Sequence, residues 1–210
     1  MDTSKLNSEI FEEPYEIIDE ICQREKKISD DLLNQILSLT DKLVIGDFLE
    51  KFDFFSKKQL QYMSKYVCKN LKDSDELFVS DLINFANKWH LKLCYKSILG
   101  FLNNPGIDPS VILSSIFYLY ENLVSSYKEE VIDSFKKVIR SKKYYQNCQV
   151  ACSFYLLILS DDQGYIRLIK NLIADGQDFN KELLKNILKF HSNQDDNFKY
   201  YNDLIKLISV

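Results

Sequence analysis

Apolar side chains recur every three or four residues along nearly the whole chain, and this spacing limits the fold more than any other feature. A helix brings residues at this spacing onto one face, whereas a half-buried strand alternates apolar and polar residues. No convincing run of alternating residues occurs. Representative stripes are Leu60/Met63/Val67/Leu71, Phe78/Leu82/Phe85/Trp89 and Ile112/Ile116/Leu119/Leu123/Tyr127. We therefore predict an all-α fold.

Turn-forming residues are scarce, which favours the same fold class. The 210 residues include 5 Gly and 3 Pro but 28 Leu and 21 Ile. A β-sandwich or barrel needs a turn about every 8–12 residues, and this composition does not supply the turns. The apolar fraction of 46% is also high enough to build a core, which argues against a disordered chain.

Helix start signals accompany the apolar stripes. Capping-box patterns occur at Ser56–Gln59 and Ser160–Gln163, the segment Asp73–Glu76 approximates one, and Asp108 precedes a proline. These signals and the stripes predict helices that begin near residues 14, 30, 41, 56, 73, 91, 109, 129, 146, 161, 180 and 197. The mean step is about 17 residues, and short links of this kind join antiparallel neighbours.

A series of about twelve short helices predicts stacked helical hairpins, an α-solenoid, over a single domain of residues 1–210. The alternative is a compact irregular helical bundle. Residues 150–173 contain an apolar helix, an Asp-containing turn and a second helix with paired Leu and Ile. This stretch resembles a degenerate HEAT-type repeat, and the resemblance implies the same stacked-hairpin architecture for the rest of the chain.

No motif of a known catalytic site occurs. The sequence lacks nucleophile-elbow, Walker, dinucleotide-binding, zinc-protease and EF-hand patterns, so we expect no enzyme activity, no cofactor and no metal. The histidines are His90 and His191, and each lies near a predicted helix end, where a cation interacts favourably with the helix dipole. Asp161 and Asp162 precede a predicted helix, and we interpret them as capping residues.

The five cysteines form no disulfide or zinc pattern, because their number is odd and no CxxC occurs. We interpret them as buried free thiols in a reducing compartment. The sequence shows no signal peptide, and its longest uncharged run, 144–160, is shorter than the roughly 20 residues of a membrane-spanning helix. We expect a cytoplasmic protein and a core helix at this run.

Charge is distributed unevenly around a net value of −4. Residues 1–31 contain ten acidic and four basic residues, and acidic side chains cover one face of the first helix. A solenoid needs a polar outer face at its end, and the same face would also attract a basic partner. The candidate partner-binding residues here are Glu12, Glu13, Glu16, Asp19 and Glu20.

Two lysine-rich segments have the opposite charge. Candidate contacts within them are Lys65 and Lys69 in the first, and Lys137, Arg140, Tyr144 and Tyr145 in the second. Basic residues beside aromatic rings can hold single-stranded nucleic acid, although lysines on a solvated helix face explain the same pattern. The chain has only 3 Arg and a negative net charge, and both disfavour nucleic acid.

The leading functional prediction is therefore a non-enzymatic module that binds one protein partner through a concave helical surface. A specific form of it is an immunity protein that blocks a basic toxin, or a small adaptor. The alternative is a nucleic-acid-binding protein similar to HEAT-like DNA glycosylases. The oligomeric state is left open by the sequence.

Overall fold

The computed structural model describes residues 13–174, 178–192 and 199–208, and within these ranges every regular element is a helix. The all-α prediction is confirmed. The helices are α1 (Glu13–Arg24), α2 (Asp30–Leu37), α3 (Lys42–Lys51), α4 (Lys57–Asn70), α5 (Glu76–Lys88), α6 (Tyr95–Leu102), α7 (Pro109–Tyr118), α8 (Val124–Arg140), α9 (Gln146–Ser160), α10 (Gly164–Ala174), α11 (Asp178–Ser192) and α12 (Tyr201–Ile208).

The chain divides into two compact units, an N-terminal unit (Met1–Ser97) and a C-terminal unit (Ile98–Val210). Helices α1–α5 belong to the first and α7–α12 to the second, and the chain passes from one to the other within α6. The prediction of a single domain over residues 1–210 stays a prediction.

In the N-terminal unit, alternate helices lie side by side and run in the same direction. Asp81 of α5 lies against Gly46 of α3, and farther along both helices Lys88 donates to the Glu50 carbonyl at 2.8 Å. Helix α1 packs against α3 in turn. Stacked hairpins require this order of helices, but the solenoid itself stays a prediction.

Helices α2 and α4 form a second parallel pair. Lys58 is 2.7 Å from Asp30 near the start of both helices, and the Tyr66 hydroxyl donates to the Leu37 carbonyl near their ends. The predicted capping box at the start of α4 is confirmed. Its Gln59 also donates to the Ile28 carbonyl at 2.8 Å, so one side chain both caps α4 and holds the segment before α2.

Two other predicted caps are shifted. The N-cap of α5 is Asp75, because its carboxylate accepts from the Phe78 N–H while Asp73 accepts from the Asp75 N–H. Ser160 is the last residue of α9 and donates to the Leu156 carbonyl, so the capping box predicted there is wrong. The Asp108 cap before Pro109 is confirmed.

The C-terminal unit is organised around α9, which contacts α7, α8, α10 and α11. Eight consecutive α9 residues, 150–157, are buried, and a helix that is apolar on all sides belongs inside a core. The core helix predicted from the uncharged run is thus confirmed. In the described ranges, no helix combines the length and apolar composition that crossing a membrane would require.

Three helix starts differ from the prediction by four or more residues: α6 begins at Tyr95, α12 at Tyr201 and α8 at Val124, against predicted starts near 91, 197 and 129. Helix α7 continues through a π-helical segment, Leu119–Leu123, into the first turn of α8, and a kink separates this turn from the rest of α8 close to the predicted start at 129. No side chain caps α8, so the sequence carried no start signal at this position. The backbone bends instead at Tyr127, whose φ and ψ are −136° and 41°.

The aromatic core of the C-terminal unit contains His191. Its imidazole lies 5.2–5.7 Å from the rings of Tyr120, Phe154, Tyr155 and Phe190, and only 8% of the residue is exposed. Burial lowers the pKa of His191 to about 4, so the ring is neutral at pH 7. The interpretation of His191 as a cation at a helix end is therefore wrong, because burial disfavours the charged form.

The first prediction concerns the core of α5. Leu82 is fully buried, whereas Leu77 on the same helix is 53% exposed. We expect Leu82→Ala to lower the free energy of unfolding by about 2–5 kcal/mol. The matched Leu77→Ala substitution should change it by less than about 0.5 kcal/mol. Urea titration of both variants measures the difference, and equal losses would contradict the observed orientation of α5.

The second prediction concerns acid stability. As pH falls from about 6.5 to about 4, the unfolded chain binds a proton at His191 that the folded protein does not, so stability is lost over this window. His191→Phe keeps a ring in the core and should remove about 1–3 kcal/mol of this pH-dependent loss. The free energies of unfolding of the wild type and of the variant, measured at pH 7 and 4.5, test this prediction. The exposed His90, replaced by Asn, serves as the control and should leave the loss unchanged.

Candidate functional site

Helices α3 and α5 contact each other at Gly46, where Asp81 of α5 lies against α3, and the candidate site lies beside this contact. A Cβ atom at this position would lie 3.0 Å from the Asp81 Cγ and nearer still to its Oδ2. Glycine costs helix stability, but here it leaves the space that the Asp81 side chain occupies. Gly46 therefore fixes where the Asp81 carboxylate lies between the two helices.

A cavity of 310 Å³ opens beside this contact. It is lined by apolar residues together with polar and charged ones, so that charged groups lie beside apolar surface. We call it the α3–α5 cleft. Its lining residues are Gly46, Leu49, Glu50, Asp81, Asn84, Phe85 and Lys88.

The ionised form of Asp81 is disfavoured in this cleft. Burial, and then the negative charges of Glu50, Asp75 and Asp47, raise the pKa of Asp81 to about 6. Both causes disfavour the carboxylate relative to the neutral acid. A cation that entered the cleft would remove this penalty, which makes Asp81 a candidate binding residue.

Lys88 of α5 and Lys51 of α3 are already bound to other groups. Lys88 pairs with Asp53 at 2.5 Å and also donates to the Glu50 backbone carbonyl. Lys51 lies on the other side of α3, and its partners are carboxylates at the α1–α3 contact. In the part of the chain that the structure describes, no cation pairs with the carboxylate of Asp81 or Glu50.

Of the predicted acidic residues, Glu13, Glu16, Asp19 and Glu20 lie on α1, in the same unit as the cleft. Glu12 lies outside the described residues, as does the side chain of Glu13. Glu16 is exposed. Asp19 and Glu20 are each in an ion pair. Asp19 lies 2.6 Å from Lys51 of α3, and Glu20 pairs with Arg24, one turn later in α1.

Lys51 connects the predicted acidic face to the α3–α5 cleft. Its ammonium group is 2.6 Å from Asp19 and 2.9 Å from Asp47, and hydrogen bonds to these two carboxylates raise its pKa. Asp47 is in turn one of the charges that act on Asp81. The carboxylates of Asp19 on α1, Asp47 on α3 and Asp81 on α5 thus follow one another across three adjacent helices. Lys51 pairs with the first two of them.

The predicted basic contacts are exposed but belong to different units. Lys65 and Lys69 lie on α4 of the N-terminal unit, and Lys137 and Arg140 lie on α8 of the C-terminal unit. Their role in binding stays a prediction.

The two neighbouring tyrosines differ in exposure. Tyr144 is only 9% exposed, and its hydroxyl donates to the Leu102 carbonyl, so it holds the start of α9 against the end of α6. Tyr145 is 60% exposed and presents its ring to solvent. Of these two tyrosines, Tyr145 is therefore the one whose ring a partner could contact.

Sequence reasoning did not identify Asp81, Glu50 or Gly46. An isolated glycine inside a helical pattern indicates close packing, so Gly46 was a usable signal. It did not indicate which helix approaches, because Asp81 is 35 positions away and lies in an ordinary amphipathic stripe. Within the described ranges no three His, Cys, Asp or Glu residues are grouped as metal ligands would be.

The third prediction concerns the charge on Asp81. Since its pKa is raised, the folded protein loses stability as pH rises from about 4 to about 6. We expect Asp81→Asn to remove this loss and to stabilise the protein at pH 7. The gain should be about 1–2 kcal/mol, below the full value of the shift because the carboxylate is partly solvated. Unfolding free energies between pH 4 and 8 measure it. Exposed Glu16→Gln is the control, and an equal gain there would contradict the assignment.

Comparisons of the chain with known protein families, with curated proteins and with solved structures found no match.

Proposed function

We propose that this protein is a non-enzymatic binding module, and that its α3–α5 cleft accepts an arginine side chain from a basic partner protein. One observation carries the proposal. The cleft contains two carboxylates, those of Asp81 and Glu50, that have no cationic partner among the described residues. A guanidinium group would supply the missing charge.

The cleft suits arginine better than lysine. The guanidinium group is planar, can bond two carboxylate oxygens at once and stacks on aromatic rings. Phe85 and Leu49 form the buried apolar side of the cleft, with 2% and 0% of each residue exposed, so the arginine would approach the cleft mainly through its polar residues. Asn84 adds an amide whose oxygen can accept a further N–H.

The acidic face of α1 would assist the encounter. Glu16 is exposed there, and the chain before it is rich in Glu and Asp. A concentration of one charge raises the association rate of an oppositely charged partner, and the effect weakens as salt is added. The predicted acidic residues would therefore steer the partner, while the cleft would bind it specifically.

A basic toxin is one partner with the required charge, and in that case the chain would act as its immunity protein. An adaptor that binds an arginine-rich segment of another protein would use the same contacts.

The fourth prediction tests the cleft with a fluorescent arginine-rich peptide in an anisotropy titration. Wild-type protein should bind it more tightly than a lysine peptide of equal length. The double variant Glu50→Gln/Asp81→Asn should weaken binding about tenfold or more, because it removes charge-assisted hydrogen bonds.

The matched control is Glu129→Gln/Glu130→Gln, which removes the same net charge from exposed positions of α8. It should weaken binding less than about twofold, since exposed charges act weakly. An equal loss in both double variants would mean that only net charge attracts the peptide, which would overturn the cleft assignment. Preferential binding of single-stranded DNA in the same assay would favour the nucleic-acid alternative instead.

A further inference from the structure

Two exposed leucines lie on the helices that form the α3–α5 cleft. Leu43 on α3 is 47% exposed and Leu77 on α5 is 53% exposed, whereas the other large apolar side chains of these two helices are buried. Apolar side chains gain free energy when a partner removes them from water. The two leucines are therefore surface that an apolar group of a partner can cover.

Both leucines lie at the N-terminal end of the α3–α5 pair. Lys42, the residue before Leu43, holds its ammonium group 5.6 Å from the ring centroid of Phe78, the residue after Leu77. This contact joins the start of α3 to the start of α5. The cleft begins one turn later on each helix, so the two leucines precede it on both sides.

The leucines also share helix faces with the carboxylates of the cleft. Asp81 and Lys88 follow Leu77 by 4 and 11 positions, a spacing that brings residues to one side of a helix. Glu50 follows Leu43 by 7 positions, which is two turns along the same face of α3. We call this surface the leucine–carboxylate strip; it consists of Leu43, Leu77, Asp81 and Glu50.

We propose that the leucine–carboxylate strip binds an amphipathic helix of the partner, in which a leucine-like side chain lies one turn from the arginine. The inference rests on the proposed function, because the arginine would bind Asp81 and Glu50. Leu77 and Asp81 are one turn apart, about 6 Å along the helix axis. Residues i and i+4 of a partner helix have the same separation on one face, so one side chain would cover the leucines while the other reaches the carboxylates.

The two kinds of group on the strip explain why the partner needs both side chains. A purely basic segment would leave Leu43 and Leu77 in water. A purely apolar segment would bring no positive charge to the carboxylates of Asp81 and Glu50. A helix with an apolar and a basic residue on one face matches both, and grooves between helices commonly bind such a helix.

The fifth prediction uses the full chain and fluorescent peptides in an anisotropy titration. The reference peptide has one arginine with a leucine four residues before it and another four residues after it, so that either direction of the helix is allowed. Replacing both leucines by alanine should weaken binding about tenfold, because less apolar surface is buried. Moving them to two residues from the arginine, the spacing of a strand, should weaken binding similarly, because a helix then turns them away from the strip.

Protein variants test the same contact from the other side. Leu43→Ala/Leu77→Ala should weaken binding of the reference peptide about tenfold and should bind the alanine peptide as wild type does. Both leucines are exposed, so this variant should have the melting temperature of the wild type. Tyr62→Ala is the matched control, because Tyr62 is 45% exposed but lies on α4, outside the strip. It should bind the reference peptide like wild type.

The two proposals fail in different ways. The proposed function fails if Glu50→Gln/Asp81→Asn binds the reference peptide as tightly as wild type does. The helix inference alone fails if that variant loses binding while the leucine substitutions in peptide and protein have no effect. Tighter binding of the strand-spaced peptide would overturn it as well. Sedimentation of the free protein covers the remaining case, since a dimer that Leu43→Ala/Leu77→Ala dissociates would mean that a second copy covers the leucines.

Discussion

The helices of this chain depend on burial of their apolar faces, because they are too short to be stable alone. The described α-helices contain 8 to 17 residues, and isolated helices of this length are marginal in water. In the N-terminal unit, alternate helices bury these faces side by side. In the C-terminal unit, α9 is buried on nearly all sides, and its neighbours bury their faces against it.

The burial of apolar helix faces also determines where negatively charged side chains lie close together. Helices α1, α3 and α5 bury their apolar faces, and several of their carboxylates then lie near one another. Lys51 and Lys88 compensate part of this charge, each through two hydrogen-bond acceptors. Asp81 remains uncompensated because Gly46 lets it lie between the helices, where solvation is weaker and three other carboxylates act on it. The α3–α5 cleft is therefore a consequence of close helix packing.

Helix α5 provides much of the α3–α5 cleft, because Asp81, Asn84 and Phe85 all line it. The fully buried Leu82 and the Asp75 cap hold this helix in position. The cleft consequently depends on residues that do not line it.

The amino-acid sequence by itself determined the fold class, most helix starts and several caps, because apolar period and capping depend on residues a few positions apart. The Ser56–Gln59 box and the Asp108–Pro109 start are examples, and the unmarked junction before α8 is an exception. Only the tertiary structure decided that Asp81 lies against Gly46, that His191 is buried among rings, and that Cys68 and Cys94 are exposed where buried thiols were predicted. The contacts join residues 35 to 71 positions apart, such as Gly46 with Asp81 and Tyr120 with His191. They arise from which helix faces meet, and local periodicity carries no information about that choice.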